Sequence, residues 1–443
     1  MKIGILGFGK EGKSTLKFIK KNNSFAEIEI LDKKFSKNYL NNLERFDFIF
    51  RTPGIPYNSP EIQKAVKNGV NVSSATKLFF NEIKKMVRRG SPRVIGVTGT
   101  KGKGTVSTLI YKVLKACGKD VYLVGNIGRP TLEILPKLKS ESVVVLELSS
   151  FQLQDLKKSP DIAVVLDIFP DHLDSHKNFK EYINAKSNIA KWQSAGRRKT
   201  AQVFYFADNK YSKWIAEQSR GEKIPVKINS GHSDKFGFSN RDLKIPGFHN
   251  FKNAVMAANI ALSLGCPKEK IIRTIKNFRG LEHRLEFIRS IKIKKRTNNY
   301  SNILKNNRID FYNDSASTNP QTAAAAVKSF DGSKILIAGG KDKKLDYKSL
   351  VKTLRDSETE LVILFGENKK KIYGSIKKSG VNIELVKDLE TAVETAYKTA
   401  KLLVANGYPL ITILFSPASA SFDMFKNYEE RGKKFKEFVK KLK

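Results

Sequence analysis

Cysteine and long apolar runs are both scarce in this sequence. Only Cys117 and Cys266 occur among its 443 residues, too few for a disulfide framework or a zinc cluster. No apolar run is long enough to span a bilayer, and a strand pattern begins at the N-terminus, so we expect neither a membrane span nor a signal peptide. These absences favour a cytoplasmic protein, and its length allows about two to four domains.

Acidic residues are few relative to basic ones. The chain has 43 Asp and Glu against 82 Lys and Arg, a formal net charge of +39. A nucleic-acid-binding protein is one explanation of such a balance. However, the basic residues are spread from end to end and do not gather on one element with interleaved aromatic residues. We therefore favour a lysine-rich surface that attracts ATP and other anionic substrates, and we expect no nucleic-acid partner.

The glycine-rich segment Gly96–Thr105 is the most informative motif. It follows an apolar strand pattern and precedes a helical one, the order in which backbone N–H groups and a helix N-terminus bind phosphate. Lys103 would reach the outer phosphates of a nucleotide. Because Gly104 separates this lysine from the next hydroxyl, Thr105 would have to bind the magnesium ion. The alternative is an ordinary turn with glycines for close packing.

Three α/β blocks follow one another along the chain. The first opens with a strand and a G-x-G-x-x-G loop at Gly7–Gly12, and Asp32 follows 20 residues after Gly12, as in a dinucleotide-binding fingerprint. This block is nevertheless too short for a complete dinucleotide-binding fold. The other two alternate apolar strands with helical patterns, which is typical of mostly parallel sheets. We predict an α/β protein with a Rossmann-like domain at 1–91, a P-loop ATPase-like domain at 92–284 and a second Rossmann-like domain at 285–443.

Two segments of the second block carry possible metal ligands. Glu147 ends an apolar strand, where a carboxylate beside a phosphate loop is well placed for magnesium, although it could also be a capping residue. The segment Asp167–His176 contains two His and three Asp, and its composition fits metal binding and a polar turn equally well. Beyond this block, the polar and basic segment 291–308 predicts an extended loop, and Glu429–Lys443 predicts a basic terminal helix.

Several motifs resemble those of one enzyme superfamily. The loop Gly99–Thr105 is similar to the G-[TS]-N-G-K-[GST]-[ST] loop of the Mur ligases and folylpolyglutamate synthetases, which are ATP-dependent amide ligases, and Lys101 replaces the usual Asn. The resemblance extends to the motifs D-H-L-D, G-N-I-G, G-x-H-N-x-x-N-A, G-L-P-H-R and N-D-S-K-A-T-N, at 171–174, 125–128, 247–254, 280–284 and 313–319. Glu282 replaces Pro and Ala316 replaces Lys in the last two motifs.

The resemblance implies a set of functional residues. Lys103, His172 and Lys186 would be catalytic, and Lys186 would be carbamylated. Two magnesium ions would be held by Thr105, Glu147, His172 and Lys186. ATP would be bound by Gly99, Thr100, Lys101, Gly102, Lys103, Gly104, Thr105, Asn253, Arg284 and Asp314. His176 would end the D-H-L-D segment and only pack.

The segment Ser416–Gly432 resembles one branch of that superfamily, the ligases that add D-glutamate to UDP-N-acetylmuramoyl-L-alanine in peptidoglycan synthesis. It implies a monomeric enzyme with a D-glutamate site at Lys343, Ser421 and Tyr428. The UDP-sugar would be bound by Gly9, Asp32, Lys33, Thr52, Gly54 and, near its acyl group, Asn126. The first glycine loop would then bind UDP and not NAD, although Glu11 departs from the small residue usual there.

Three alternatives remain open. A folylpolyglutamate synthetase is favoured by Gly104 in the loop. Another Mur ligase could add a different amino acid, although the D-N-P-R signature of the diamino-acid-adding branch is missing. A basic P-loop NTPase that binds nucleic acid belongs to a different class and would be stimulated by DNA or RNA.

Overall fold

Three sheets organise the chain. The computed structural model describes residues 1–86, 91–172, 175–193, 201–228, 231–293, 307–343 and 345–442. By their internal contacts, these residues form two compact units, 1–238 with 252–275 and 239–251 with 276–443. The predicted α/β class with mostly parallel sheets is confirmed, whereas the three domain bounds given above remain a prediction.

The N-terminal sheet is parallel and has the strand order β2-β1-β3-β4. Its strands are β1 (Lys2–Leu6), β2 (Glu27–Leu31), β3 (Phe48–Arg51) and β4 (Asn71–Ser73). Its helices are α1 (Lys10–Asn22), α2 (Pro60–Lys67) and α3 (Ala75–Lys85). Parallel pairing brings the ends of β1, β2 and β3 to one edge of the sheet, where the predicted UDP-binding residues follow them.

The central sheet is also parallel, in the order β10-β9-β8-β5-β7-β6. Its strands are β5 (Arg93–Thr98), β6 (Val121–Gly125), β7 (Val143–Glu147), β8 (Ile162–Val165), β9 (Gln202–Phe206) and β10 (Glu222–Val226). Its helices are α4 (Lys103–Ala116), α5 (Thr131–Ile134), α6 (Ser150–Leu153), α7 (Phe179–Lys191) and α8 (Lys210–Glu217). Because β5, β7 and β8 are apolar and fully paired, they form the buried centre from which the phosphate loop emerges.

Short elements and two helices follow the central sheet. These are the ribbon β11 (His232–Ser233) and β12 (Phe238–Ser239), and the helices α9 (Phe248–Ser263) and α10 (Lys268–Lys276). Among the described residues, we find no helix that combines the length and the apolar character needed to cross a membrane.

The C-terminal sheet has the order β13-β14-β18-β15-β16-β17. Its strands are β13 (Glu286–Lys292), β14 (Arg308–Asn313), β15 (Lys334–Gly339), β16 (Thr359–Phe365), β17 (Asn382–Leu385) and β18 (Leu410–Phe415). Its helices are α11 (Pro320–Lys328), α12 (Lys348–Arg355), α13 (Lys369–Ile376), α14 (Leu389–Ala405) and α15 (Tyr428–Lys441). The last of these confirms the predicted terminal helix.

The predicted loop at 291–308 is wrong at both ends. Ile291 and Lys292 end β13, and Arg308 begins β14, which pairs antiparallel with β13. The strand was missed because β13 lies at the sheet edge, where none of its residues is fully buried and basic residues interrupt the apolar ones. Residues 294–306, with the basic cluster Lys294, Lys295 and Arg296, lie outside the described residues.

Candidate functional site

The phosphate loop joins β5 to α4. Helix α4 begins at Lys103, three residues earlier than the sequence pattern predicts, and has no acidic residue in its first turn. Gly102 caps the helix with φ of +83°, a conformation that favours glycine. A Cβ atom at Gly102 would lie 2.5 Å from Asn253 Oδ1. The N-terminal N–H groups of this helix, supported by Asn253, therefore form the kind of anion site that the sequence predicts.

Two lysine side chains meet at one backbone carbonyl of this loop. Lys103 Nζ donates to Gly99 O at 3.0 Å and to Thr100 O at 3.1 Å. Lys186 Nζ, from α7, donates to the same Gly99 O at 2.9 Å. The predicted catalytic lysines thus lie beside each other, although they are 83 positions apart in the chain.

Lys186 is in the surroundings that a modified lysine requires. The residue is only 1% exposed, and its pKa is lowered well below 10.5, mainly by burial and further by the positive charge of Lys103. The carboxylates of Asp171 and Glu147 act in the opposite direction. Because a lowered pKa increases the fraction of neutral amine, Lys186 is suited to react with an electrophile such as carbon dioxide.

Tyr182 fixes both Lys186 and the loop. The Lys186 ammonium lies 4.6 Å from the centroid of the Tyr182 ring. The Tyr182 hydroxyl lies 3.0 Å from Thr100 Oγ1, and burial raises its pKa to about 12. Thr100 Oγ1 also accepts from Phe169 N at 2.9 Å. Thr100 is therefore a support of the loop as well as a predicted nucleotide contact.

The two histidines of the Asp167–His176 segment have different surroundings. His172 is exposed, has φ of +54°, and packs edge-on against Phe151 at 5.3 Å. His176 is buried, stacks on Phe151 at 5.2 Å, and its Nε2 lies 3.0 Å from Ser150 Oγ. Burial also lowers the pKa of His176. His172 is therefore accessible to a metal, whereas His176 packs, as predicted.

The candidate metal ligands fit magnesium only if water and nucleotide phosphate complete the coordination shell. No group of three or more His, Cys, Asp or Glu side chains within the described parts of the chain forms a cation cage. Glu147 is a buried carboxylate at the end of β7, and Thr105 is half-buried in the first turn of α4. These oxygen ligands suit magnesium, which commonly completes its shell with water and nucleotide phosphate. His172 and Lys186 would suit a second ion if Lys186 carried a carboxylate group.

The predicted UDP-binding residues surround the N-terminal glycine loop. Asp32, directly after β2, accepts from Phe8 N at 2.6 Å and from Lys34 N at 2.9 Å, and these hydrogen bonds lower its pKa. Thr52 Oγ1 donates to Leu6 O at 3.0 Å. The other three predicted residues at this edge are exposed: Gly9, Lys33 and Gly54. Asn126 lies elsewhere, exposed after β6, with its N–H 3.4 Å from Glu147 O.

A buried polar cluster beside this loop was not predicted. Arg51, at the end of β3, is 2% exposed and donates to Asp155 Oδ1 at 2.9 Å and to Phe151 O at 3.0 Å. Burial raises the pKa of Glu11 to about 7, against the opposing effects of Arg51 and of a hydrogen bond with Gln152. The cluster connects the N-terminal sheet to the turn after Glu147. An arginine at the end of an apolar strand, as in Phe48–Arg51, is the sequence feature that could have indicated this cluster.

The remaining predicted nucleotide residues lie in the second unit. Asp314 is buried, and its carboxylate accepts from Ser416 Oγ at 2.8 Å and from Leu285 N at 3.2 Å. Burial raises its pKa to about 7, and the nearby charge of Arg284 opposes this shift. Asp314 therefore orders the ends of β14 and β18, and Arg284 is exposed beside it.

The predicted D-glutamate residues follow the ends of β15 and β18. Ser421 is buried, whereas Lys343 and Tyr428 are exposed. Arg431, which we did not predict, is fully buried and donates to Ser315 O at 2.9 Å and to Ser419 O and Ala420 O, both at 3.0 Å. Its guanidinium thus fixes the turn before Ser421. The segment Ser416–Gly432 contained this arginine, but sequence spacing did not indicate that it is buried.

Comparison with known proteins defines the class. Residues 97–261 match the Mur ligase middle domain, and residues 300–405 match the Mur ligase glutamate ligase domain. The chain belongs to the Mur ligase family. It is 35% identical to the UDP-N-acetylmuramoylalanine–D-glutamate ligase of Acetivibrio thermocellus over 96% of this chain and 89% of that relative. The enzyme of the same name from Clostridium tetani is 34% identical over 99% of this chain and 92% of that relative.

A solved structure confirms the fold. The UDP-N-acetylmuramate–alanine ligase of Thermotoga maritima aligns over 100% of both chains with a TM-score of 0.54 and 18% identity. At this identity the similarity establishes the fold alone.

Proposed function

We propose that this protein is the ATP-dependent ligase that adds D-glutamate to UDP-N-acetylmuramoyl-L-alanine. One observation carries the chemistry: Lys103 and Lys186 meet at Gly99 O, within electrostatic range of Glu147. This arrangement places the Lys103 cation at the phosphate loop, beside a lysine whose pKa is lowered and next to a carboxylate suited to magnesium. The similarity to D-glutamate ligases along nearly the whole chain supports the choice of substrates.

The reaction proceeds in two steps. The carboxylate of the L-alanyl group attacks the γ-phosphorus of ATP, so that an acyl phosphate forms and ADP leaves. The amine of D-glutamate then attacks the acyl carbon, loses a proton, and expels phosphate from a tetrahedral intermediate. Lys103 neutralises charge on the transferred phosphoryl group, and the α4 N-terminus holds the other phosphates. We expect no protein nucleophile.

Magnesium would be held by Thr105 and Glu147, with a second ion at His172 and a carbamate on Lys186. When bound, it would supply charge neutralisation at the phosphates. The neutral amine of Lys186 attacks carbon dioxide and loses one proton to form that carbamate. The Lys186 amine packs against the ring of Tyr182 and donates a hydrogen bond to Gly99 O of the phosphate loop.

The choice of D-glutamate rests on the second unit. D-Glutamate carries two carboxylates, which a closed site must pair with donors. Lys343 offers a cation, Ser421 offers a hydroxyl that Arg431 positions through the preceding turn, and Tyr428 offers donors at the start of α15. A diamino acid would instead need an acidic group for its distal ammonium. The enzyme would act in the cytoplasm, where ATP and UDP-linked substrates are available, and we propose that it is a monomer.

Phosphate release and product formation test this proposal together. The protein is incubated with ATP, UDP-N-acetylmuramoyl-L-alanine and, in parallel, D-glutamate, L-glutamate, lysine or diaminopimelate. We expect release only with the UDP-sugar and D-glutamate together. A preference for lysine, activity with a folate, or release stimulated by DNA or RNA would each replace the proposed function by one of the alternatives.

Ser421→Ala sharpens the amino-acid assignment. The change removes one hydrogen bond to a charged substrate, worth about 1.5–3 kcal/mol. We therefore expect the KM for D-glutamate to rise by about tenfold or more, with a smaller effect on the KM for ATP. An equal effect on both would place Ser421 outside the amino-acid site.

A further inference from the structure

An ionic cluster around a buried lysine lies at the carboxyl edge of the central sheet, and none of the roles above uses it. Lys252, near the start of α9, is 8% exposed. Its Nζ lies 3.0 Å from Asp167 Oδ2 and 2.9 Å from Asp208 Oδ2. It also lies 4.4 Å from the centroid of the Phe206 ring. The cluster therefore fastens α9 to the segments that follow β8 and β9.

This cluster contacts the phosphate loop from two sides. On one side, Asp167 O accepts from Thr100 N at 2.9 Å, so the backbone that carries the carboxylate also holds the loop. On the other side, Asn253 directly follows Lys252, is buried, and packs against Gly102. Lys252 thus anchors both supports of the loop.

Lys252 also has an electrostatic effect, in addition to holding these segments together. Asp167 adjoins the loop that is proposed to accept a polyanion, and Asp208 shares the Lys252 ammonium with it. The side chain of Asp208 is 52% exposed, whereas that of Asp167 is 23% exposed and that of Lys252 is 10% exposed. An unneutralised carboxylate at Asp167 would be poorly screened and would repel the phosphates of a nucleotide. Lys252 is the cation that contacts both carboxylates.

We propose that Lys252 is a positioning residue for nucleotide binding: it neutralises Asp167 and Asp208 and holds Asn253 and Thr100 in place at the phosphate loop. The inference rests on the proposed use of ATP and extends it to a residue that does not itself touch the nucleotide. It requires that the carboxylates, once unpaired, weaken ATP binding through their charge.

Equilibrium binding of MgATP to the full chain, without the other substrates, tests the charge argument. Lys252→Met should weaken binding by about tenfold or more, since it leaves the partly buried Asp167 carboxylate without its cation. The triple variant Lys252→Met, Asp167→Asn, Asp208→Asn should return the Kd to within about threefold of the wild type. Lys252→Arg should retain most of the binding. Wild-type binding by Lys252→Met, or a triple variant as weak as Lys252→Met, would overturn the inference.

Two further variants keep the test decisive if Lys252→Met does not fold. Asp208→Asn removes a half-exposed charge, and it should leave MgATP binding unchanged or tighter; weaker binding would contradict the inference. Lys235→Met is the matched control, because Lys235 is exposed and its Nζ donates at 2.7 Å to Asn259 of α9, the helix that carries Lys252. An equal loss in this control would show a general effect of surface charge. Failure of the wild type to bind MgATP would refute the proposed function itself.

Discussion

The chain contains two glycine-rich loops with the same strand–loop–helix layout and different charged neighbours. The loop after β1 is bordered by the carboxyl groups of Asp32 and Glu11, whereas the loop after β5 is bordered by the Lys103 ammonium and by the buried amine of Lys186. The backbone layout predicts an anion site in both cases. The side chains around each loop decide how much negative charge the loop can accept. We therefore expect the loop after β5 to bind a triphosphate, and the loop after β1 to bind a nucleotide that is also held through its hydroxyl groups.

Among the substitutions that test this difference between the loops, Lys103→Ala should have the largest effect on activity. The substitution removes the cation that the loop carries toward the outer phosphates, so we expect ATP-dependent ligation to fall by about a thousandfold. The protein should remain folded, because Lys103 is only half-buried and its ammonium hydrogen-bonds to the loop carbonyls of Gly99 and Thr100. Lys115→Ala is the control, since Lys115 is exposed in the last turn of α4, the helix that begins at Lys103. Near-normal ligation by folded Lys103→Ala would refute the phosphate-loop assignment.

Lys186→Ala should have the second largest effect. We expect ligation activity to fall by about a hundredfold or more if the residue carries the proposed carbamate. Short carboxylic acids should restore part of the activity, because they supply the missing carboxylate to the same cavity. Lys180→Ala is the matched control on α7, where Lys180 is exposed. Full activity of Lys186→Ala, or a loss that no carboxylic acid rescues, would argue against the modification.

A pair of alanine substitutions tests how tightly each loop is built. Gly102→Ala places a Cβ atom 2.5 Å from Asn253 Oδ1 at φ of +83°, whereas a Cβ at Gly9 has no heavy atom within 4 Å and φ there is −75°. We expect Gly102→Ala to lose about 1–2 kcal/mol of folding free energy from the backbone alone and to bind ATP more weakly. Gly9→Ala should unfold at the wild-type temperature. Equal melting temperatures for the two variants would contradict the structure of the second loop.

Glu11→Gln should have the smallest effect, visible in pH dependence. Because the pKa of Glu11 is raised from 4.5 to about 7 in the folded chain, the native state binds more protons than the unfolded state between these values, and stability falls as pH rises through them. Above pH 7 the ionised carboxylate should also repel the UDP diphosphate. We expect the wild-type KM for the UDP-sugar to rise severalfold from about pH 6 to pH 8, and Glu11→Gln to flatten both profiles. Parallel profiles for the two proteins would exclude Glu11 from this site.

Sequence patterns were most informative where a local rule applies. The period of apolar residues predicted β5, β7, β8 and four strands of the C-terminal sheet, β14, β15, β16 and β18, and the glycine spacing predicted the phosphate loop, because both depend on residues close in the chain. The edge strands β13 and β17 were missed because none of their residues is fully buried and polar residues interrupt their apolar ones. The roles of Lys186 and His172 came from resemblance to a family, since a lysine or histidine on a helix or turn has no local signature of its own.

By itself, the sequence determined the α/β class, the two glycine loops and the family, since these are written in short-range spacing and in motifs. Only the tertiary structure decided which charged residues are buried together. Arg51 with Asp155, Arg431 with the turn before Ser421, and Lys252 with Asp167 and Asp208 join segments far apart in the chain. The lowered pKa of Lys186 belongs to the same class, because burial and the neighbouring charge of Lys103 arise only when α7 packs against the phosphate loop.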